Sequence, residues 1–252
     1  SPRGLRSEAA LCSTGESEVS THCGHFGNST IPVVCDVLPV SPSSEFPHCT
    51  SVCLSLAPYS VDHAGQRRIR PGLLKYSCQF TLDPNTANRK LVLSEDKRTV
   101  TWRGEEQKYP DHPERFDCFR QVLCVESVSD RSYWEVQWTG NEAEIGVTYK
   151  GIKRKGDGDD CRLGYNGKSW VLCCTDKRYS VRHNNTPTEI SASPSPRVGV
   201  YVDCVSGTLS FYSVSSVEPT LLYSFTSTFT EPLYPVFSLW GSDSSVSLCD
   251  LE

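Results

Sequence analysis

The chain has 252 residues, of which 37% are apolar, 10% aromatic and 22% charged, enough apolar material for one packed domain beside a thinner segment. A net charge of −5 argues against a nucleic-acid binder held by phosphate contacts, and no run approaches the ~20 apolar residues that a bilayer-spanning helix needs. Thirteen Cys cannot all pair within one chain, and the absence of Met, at position 1 included, points to a piece of a longer protein.

Residues 1–66 carry two basic and six acidic side chains, no Lys and no Trp, and include the Ser- and Pro-rich run Val40–Pro47. No stretch in them keeps a 3.6- or 2.0-residue apolar period. Such sequence buries too little to offset the entropy of ordering, so this segment is expected to be largely disordered. Five Cys (Cys12, Cys23, Cys35, Cys49, Cys53) and three His (His22, His25, His48) raise the question of a metal. Cys49-x3-Cys53 is a plausible ligand pair and Cys23-x-His25 a poor one, and the spacer lacks the aromatic and basic residues of a finger core. Unstructured sequence is the preferred reading, with a zinc module as the alternative. The boundary is set near Asp62–Arg70, where the basic run Arg67–Arg70 begins.

Beyond it, short strands follow one another. Lys90–Ser94 and Thr99–Trp102 flank the polar turn Glu95–Arg98. Ser132–Trp138 alternates, with Trp134, Val136 and Trp138 on one face and Tyr133, Glu135 and Gln137 on the other. Further runs are Glu144–Tyr149, Ser169–Cys174, Arg197–Asp203, Thr208–Val214, Leu221–Phe225, Tyr234–Trp240 and Ser245–Leu251. Turn signals separate them at Gly156–Asp160, Tyr165–Gly167, His183–Asn185, Ser206-Gly207 and Gly241–Asp243. About ten short strands without a long helix indicate an all-β fold, an antiparallel two-sheet β-sandwich. Trp134, Trp138 and Trp170 fall on core-like positions.

Catalytic patterns are absent. There is no G-x-S-x-G elbow and no phosphate-binding G-x-x-x-x-G-K-[ST] loop, and His112 and His183 sit in polar, loop-like sequence. The acidic run Gly156–Asp160 lacks the twelve-residue calcium-loop pattern and reads as a solvated turn. The basic loop Gly151–Gly156 just before it suits a protein-facing surface. Eight Cys lie among the strands (Cys78, Cys118, Cys124, Cys161, Cys173, Cys174, Cys204, Cys249), and most read as small buried hydrophobes in a reducing compartment. Adjacent Cys173 and Cys174 face opposite sides of a strand and cannot share one ion. The sequons at Asn28 and Asn184 carry little weight without a secretion signal.

The motifs from Leu82 onward resemble those of a PRY-SPRY domain. Leu82–Asn88 and Leu91–Asp96 are similar to the opening of the PRY part, and Tyr109–Asp117 with Val122–Cys124 to its close. Tyr133–Val136, Ile145–Val147, Gly199–Asp203, Gly207–Tyr212, Pro232–Phe237 and Val246–Cys249 resemble the SPRY strands in order. Val61–Gly65 through Arg70–Tyr76 is similar to the junction before this domain in fish NLR-type immune receptors, and fish tripartite-motif proteins and stonefish-type toxins carry similar versions. Cys204 departs from the pattern, which has an aromatic residue there. The resemblance places the domain at 67–252, with PRY at about 76–125 and SPRY at about 130–251.

It implies a bent, concanavalin-like jelly roll that binds protein ligands through loops at one end. It implies no active site, cofactor, metal or small-molecule substrate, no nucleic-acid or membrane partner, and a cytoplasmic setting in an innate-immune receptor or ubiquitin-ligase-type protein. A secreted toxin-like, pore-forming parent is the alternative. By resemblance the binding face combines Arg103, Glu105, Lys108, Glu144, Lys150, Arg154, Cys173, Thr175, Asp176, Tyr179 and Trp240. Trp240 is read as an interface anchor or, equally, as edge packing. Arg154 and Glu144 are also readable as solvated charges.

Overall fold

The computed structural model describes residues 70–215, 218–241 and 243–251. The expectations for residues 1–66, with their five Cys and the Asn28 sequon, and for the junction at Val61–Gly65 lie outside the described residues. Regular structure among these residues is almost entirely strand. The one helix among these residues, α1 (Arg70–Leu74), precedes β1 (Leu91–Leu93), β2 (Thr99–Trp102), β3 (Gln121–Leu123), β4 (Arg131–Thr139), β5 (Glu142–Tyr149) and β6 (Ser169–Thr175). Then come β7 (Tyr179–His183), β8 (Thr186–Ile190), β9 (Arg197–Asp203), β10 (Thr208–Val214), β11 (Pro219–Thr226), β12 (Leu233–Trp240) and β13 (Ser245–Leu248).

They form two antiparallel sheets, one of seven strands in the order β1-β2-β13-β4-β9-β10-β11 and one of six in the order β3-β12-β5-β6-β7-β8. The alternation read in β4 is what joins them. Trp134, Val136 and Trp138 enter a common core with Ala143, Ile145 and Val147 of β5, Trp170, Leu172 and Cys174 of β6, and Phe237 and Leu239 of β12. All three Trp placed in the core by their strand position are buried, at 2–5% exposure. Cys173 and Cys174 do point to opposite faces, Cys174 into the inter-sheet core and Cys173 outward. Close approach between β5 and β6 depends on Gly146, where an added Cβ would come within 2.0 Å of the Trp170 carbonyl oxygen.

Each outer face is covered. On the seven-stranded sheet, Leu73 of α1 packs with Tyr133, Tyr201 and Tyr212. Beneath it Glu135, on the face that alternation alone would turn to water, is fully buried. It accepts hydrogen bonds from Tyr133 Oη at 2.7 Å, Arg70 Nε at 2.9 Å and Arg197 Nε at 2.5 Å. On the six-stranded sheet, part of the outer face lies under Phe116, Ile152 and Leu163 from the long connections around it. Gln121, also fully buried, fixes one of these by bonding Cys161 O and Leu163 N.

Three strands escape a reading by runs: β3, β7 and β8. β3 is short because its partner β12 carries Pro235. Cys124 N donates to Pro235 O, but proline has no N–H to return, and the ladder stops there. β8 reads Thr-Pro-Thr-Glu-Ile, and its Pro187 is tolerated because β8 is the sheet's outermost strand. The His183–Asn185 turn signal is the β7–β8 hairpin, with Asn184 and Asn185 at φ 48° and 59°, the left-handed pair a two-residue turn requires. His183 itself ends β7, stacked on Trp170 at 4.4 Å.

Candidate partner-binding face

Period-two alternation sets one row of side chains across the outer face of the six-stranded sheet. Register aligns Gln121 of β3, Ser238 of β12, Glu144 of β5, Cys173 of β6 and Ser180 of β7. In the next row toward the strand ends stand Trp240, Glu142 and Thr175. This end of the face is where the surrounding connections bring arginines and aromatic rings together.

Arg162 comes from the connection between β5 and β6, and its guanidinium lies 3.9 Å from the Tyr165 ring centroid and 5.0 Å from that of Trp240. Arg182 of β7 covers the same Tyr165 at 4.5 Å. Arg120, next to β3, sits 4.9 Å from Trp240 and 4.3 Å from Trp102. The result is an alternating stack: Trp102, Arg120, Trp240, Arg162, Tyr165, Arg182. Phe119 packs tilted against Trp240 at 6.4 Å. Cation–π contacts between half-buried groups are each worth about 0.5–2 kcal/mol, so the stack holds Arg120 and Arg162 in place without a salt bridge among the described residues.

Glu144 lies at the base of the stack, 1% exposed, with Arg182 Nη1 at 3.8 Å from its Oε1. Burial pushes its carboxyl above the ordinary range, opposed by the Trp240 indole and by the charges of Arg182 and Arg162. Polar atoms short of a well-formed hydrogen bond concentrate here: Trp102 Nε1, Arg162 Nε and Ser238 Oγ are buried without a partner among the described residues, and the Trp240 indole N–H is turned to the Glu144 carboxylate without closing a good bond. Each such atom costs about 1–3 kcal/mol. Such atoms are satisfied by a small side-chain shift, an ordered water or a bound group.

The structure brings Glu144, Cys173, Thr175 and Trp240 together, with exposed Asp176 in the β6–β7 turn beside them. Arg103, Glu105 and Lys108 are exposed on the segment leaving β2, directly after Trp102 of the stack. Lys150 is exposed farther along the same sheet, with its Nζ 5.8 Å from the Tyr234 ring. Two expected residues have inward roles. Tyr179 is fully buried between the sheets, its hydroxyl bonded to Ser195 O at 2.9 Å. Arg154, 7% exposed, ties its own loop by bonding Ile152 O, Lys150 O and Glu114.

Missed entirely were Trp102, Phe119, Arg120, Arg162, Tyr165, Arg182 and Ser238. They come from five separate stretches of chain, so no spacing links them. The one readable signal was the alternation of β12, which puts Ser238 on the face of Trp240. Burial pushes the Cys173 thiol up, away from a reactive thiolate. Among the described residues no group of three His, Cys, Asp or Glu could hold a metal ion. No helix among them is long and apolar enough to cross a membrane.

Comparison with known proteins bears on this face. The family model of PRY, the SPRY-associated domain, matches residues 80–128, and that of the SPRY domain matches residues 131–250. Tripartite motif-containing protein 16 of Mus musculus is 39% identical over 189 residues, covering 73% of this chain and 34% of that protein. Stonustoxin subunit alpha of Synanceia horrida is 42% identical over 175 residues, covering 68% of this chain and 25% of that protein. The crystal structure of the TRIM65 PSpry domain superposes with a TM-score of 0.66 at 28% identity, over 77% of this chain and 99% of its own. The chain thus spans about a quarter to a third of the length of these curated relatives.

Proposed function

This chain belongs to the PRY-SPRY family, and from that premise we propose that its described domain is a non-catalytic module that recognises other proteins. The observation that carries this reading is the stack around Trp240, where ordered arginines, aromatic rings and unpaired buried polar atoms meet at one end of a rigid sandwich. A half-buried Trp flanked by Arg is the composition of an interface hot spot. The loops on its rim, Arg103–Lys108 and Thr175–Asp176, vary without disturbing the core.

The likeness to a tripartite-motif protein supports a parent of the innate-immune receptor or ubiquitin-ligase type, working in the cytoplasm. Eight free Cys among the described residues suit a reducing compartment. The likeness to a toxin subunit favours a second reading, the C-terminal domain of a secreted, pore-forming protein; disulfides in the native chain or glycan on Asn184 would select it. The domain is proposed to begin near residue 67, which keeps α1 with the sheet it covers.

Proximity labelling in cells tests the recognition reading. The chain and its Trp240→Ala variant are compared after both are shown to fold by thermal melting. Loss of most labelled neighbours in the variant is the expected result; an unchanged set refutes the reading.

A further inference from the structure

We propose that this face takes an extended peptide segment of a partner protein carrying two carboxylate side chains, one for Arg120 and one for Arg162 beside Trp240. The inference rests on the recognition reading above and adds to it the chemistry of the partner. Its argument begins with what the stack lacks. Arg120 has one hydrogen bond, from Nε to the Leu239 carbonyl at 3.0 Å, and burial without a carboxylate neighbour lowers its pKa. The Arg162 guanidinium donates no hydrogen bond among the described residues, and its Nε is buried and unpaired.

Most of the unpaired atoms are donors. Trp102 Nε1, Trp240 Nε1 and Arg162 Nε can only donate, and Ser238 Oγ can do either. Glu144, beside the Trp240 indole, cannot answer them all. At the surface the Nη groups of Arg120 and Arg162 have no acceptor among the described residues, so a ligand that fits must bring acceptors, and a carboxylate brings two oxygens and no donor. Charge agrees at the two central positions: Arg182 has Glu144 at 3.8 Å, whereas Arg120 and Arg162 make no salt bridge among the described residues.

Geometry selects the form. A guanidinium laid flat on a ring keeps its N–H edge free for a two-pronged carboxylate contact, and stacking has already restricted its motion. Arg120 and Arg162 lie 4.9 and 5.0 Å from the same Trp240 centroid. On an extended peptide, side chains two residues apart point the same way at a spacing of roughly 7 Å. An acidic residue, any residue and a second acidic residue would present one carboxylate to each arginine.

A displayed library of random ten-residue peptides, panned on the full chain, tests this. The expected result is enrichment of peptides with two acidic residues one position apart. Synthetic copies should bind at least tenfold more weakly when both acids become Asn or Gln. They should also bind at least tenfold more weakly to Arg162→Gln and Arg120→Gln, whose melting temperatures confirm folding, and more weakly as salt rises. Enriched peptides without acids, undiminished binding to both variants, or no enrichment at all would overturn the proposal. Failure of the recognition reading looks different: peptides of any composition would then bind Trp240→Ala as well as the parent chain. Neutral peptides lost on Trp240→Ala would sink the acidic assignment alone.

Discussion

Replacing Glu135 by Ala probes the buried cluster beneath α1. The carboxylate is fully buried and takes bonds from Tyr133, Arg70 and Arg197. Its removal strands the hydroxyl of Tyr133, itself fully buried, at about 1–3 kcal/mol. The two guanidiniums, 34% and 32% exposed, can regain water, so each adds only about 0.5–1 kcal/mol. The expected total is about 2–5 kcal/mol, or a fall in Tm of roughly 5–15 °C for a domain of this size. The cluster also fixes a pH dependence. Burial pushes the Glu135 carboxyl up, but Arg70, Tyr133 and Arg197 together outweigh that and hold it below the ordinary carboxylate range. A depressed folded pKa stabilises the fold above the unfolded value, about 4.3, and the stabilisation is lost as pH falls through the folded value. Urea unfolding followed by tryptophan fluorescence should show the full difference between parent and variant at pH 7 and a shrinking one below about pH 4. A loss under about 1 kcal/mol at pH 7, or a difference unchanged in acid, would refute this account of the cluster.

Other perturbations follow from single contacts. Gly146→Ala drives a methyl group into the backbone of β6 and should cost about 2–4 kcal/mol in the same unfolding assay; a loss below about 1 kcal/mol would mean that the two strands separate freely. Glu144 behaves oppositely to Glu135. Its raised carboxyl pKa makes the charged form a burden at neutral pH that is relieved as pH falls through the folded value, so Glu144→Gln should flatten the pH profile and stabilise at pH 7. Equal profiles for parent and variant would show that water or a neighbour already satisfies it. Iodoacetamide labelling mapped by mass spectrometry should modify exposed Cys118 first among the eight described Cys, and buried Cys124 and Cys174 only after unfolding.

The fold could be read from the chain where alternation met a buried face, as with Trp134, Val136 and Trp138 of β4. It could not be read where covering layers changed the meaning of polar residues. Glu135 and Gln121 stand at positions that alternation gives to water, and both are fully buried because α1 and the β5–β6 connection lie over them. The candidate face was half legible. Glu144, Cys173 and Trp240 entered by resemblance and converge. The arginines that organise them were invisible, because a stack built across strands and connections has no period. Tyr179 and Arg154 fell near the face in sequence yet point inward, one by strand parity and the other through its own loop carbonyls.

The proline in β8 has a consequence beyond its own strand. An outermost strand offers open backbone groups on which another chain could add itself, and long, flat, apolar edges are where β proteins aggregate. Here the six-stranded sheet ends in Thr-Pro-Thr-Glu-Ile, with one donor missing at Pro187 and a charge at Glu189, and the seven-stranded sheet ends in a strand that opens on Pro219. Neither of these two borders is a good template, and at the opposite borders β1 and β3 are only three residues long. Many copies of such a domain could be crowded side by side on a larger assembly and still meet other proteins through their ends, with their sheets kept apart.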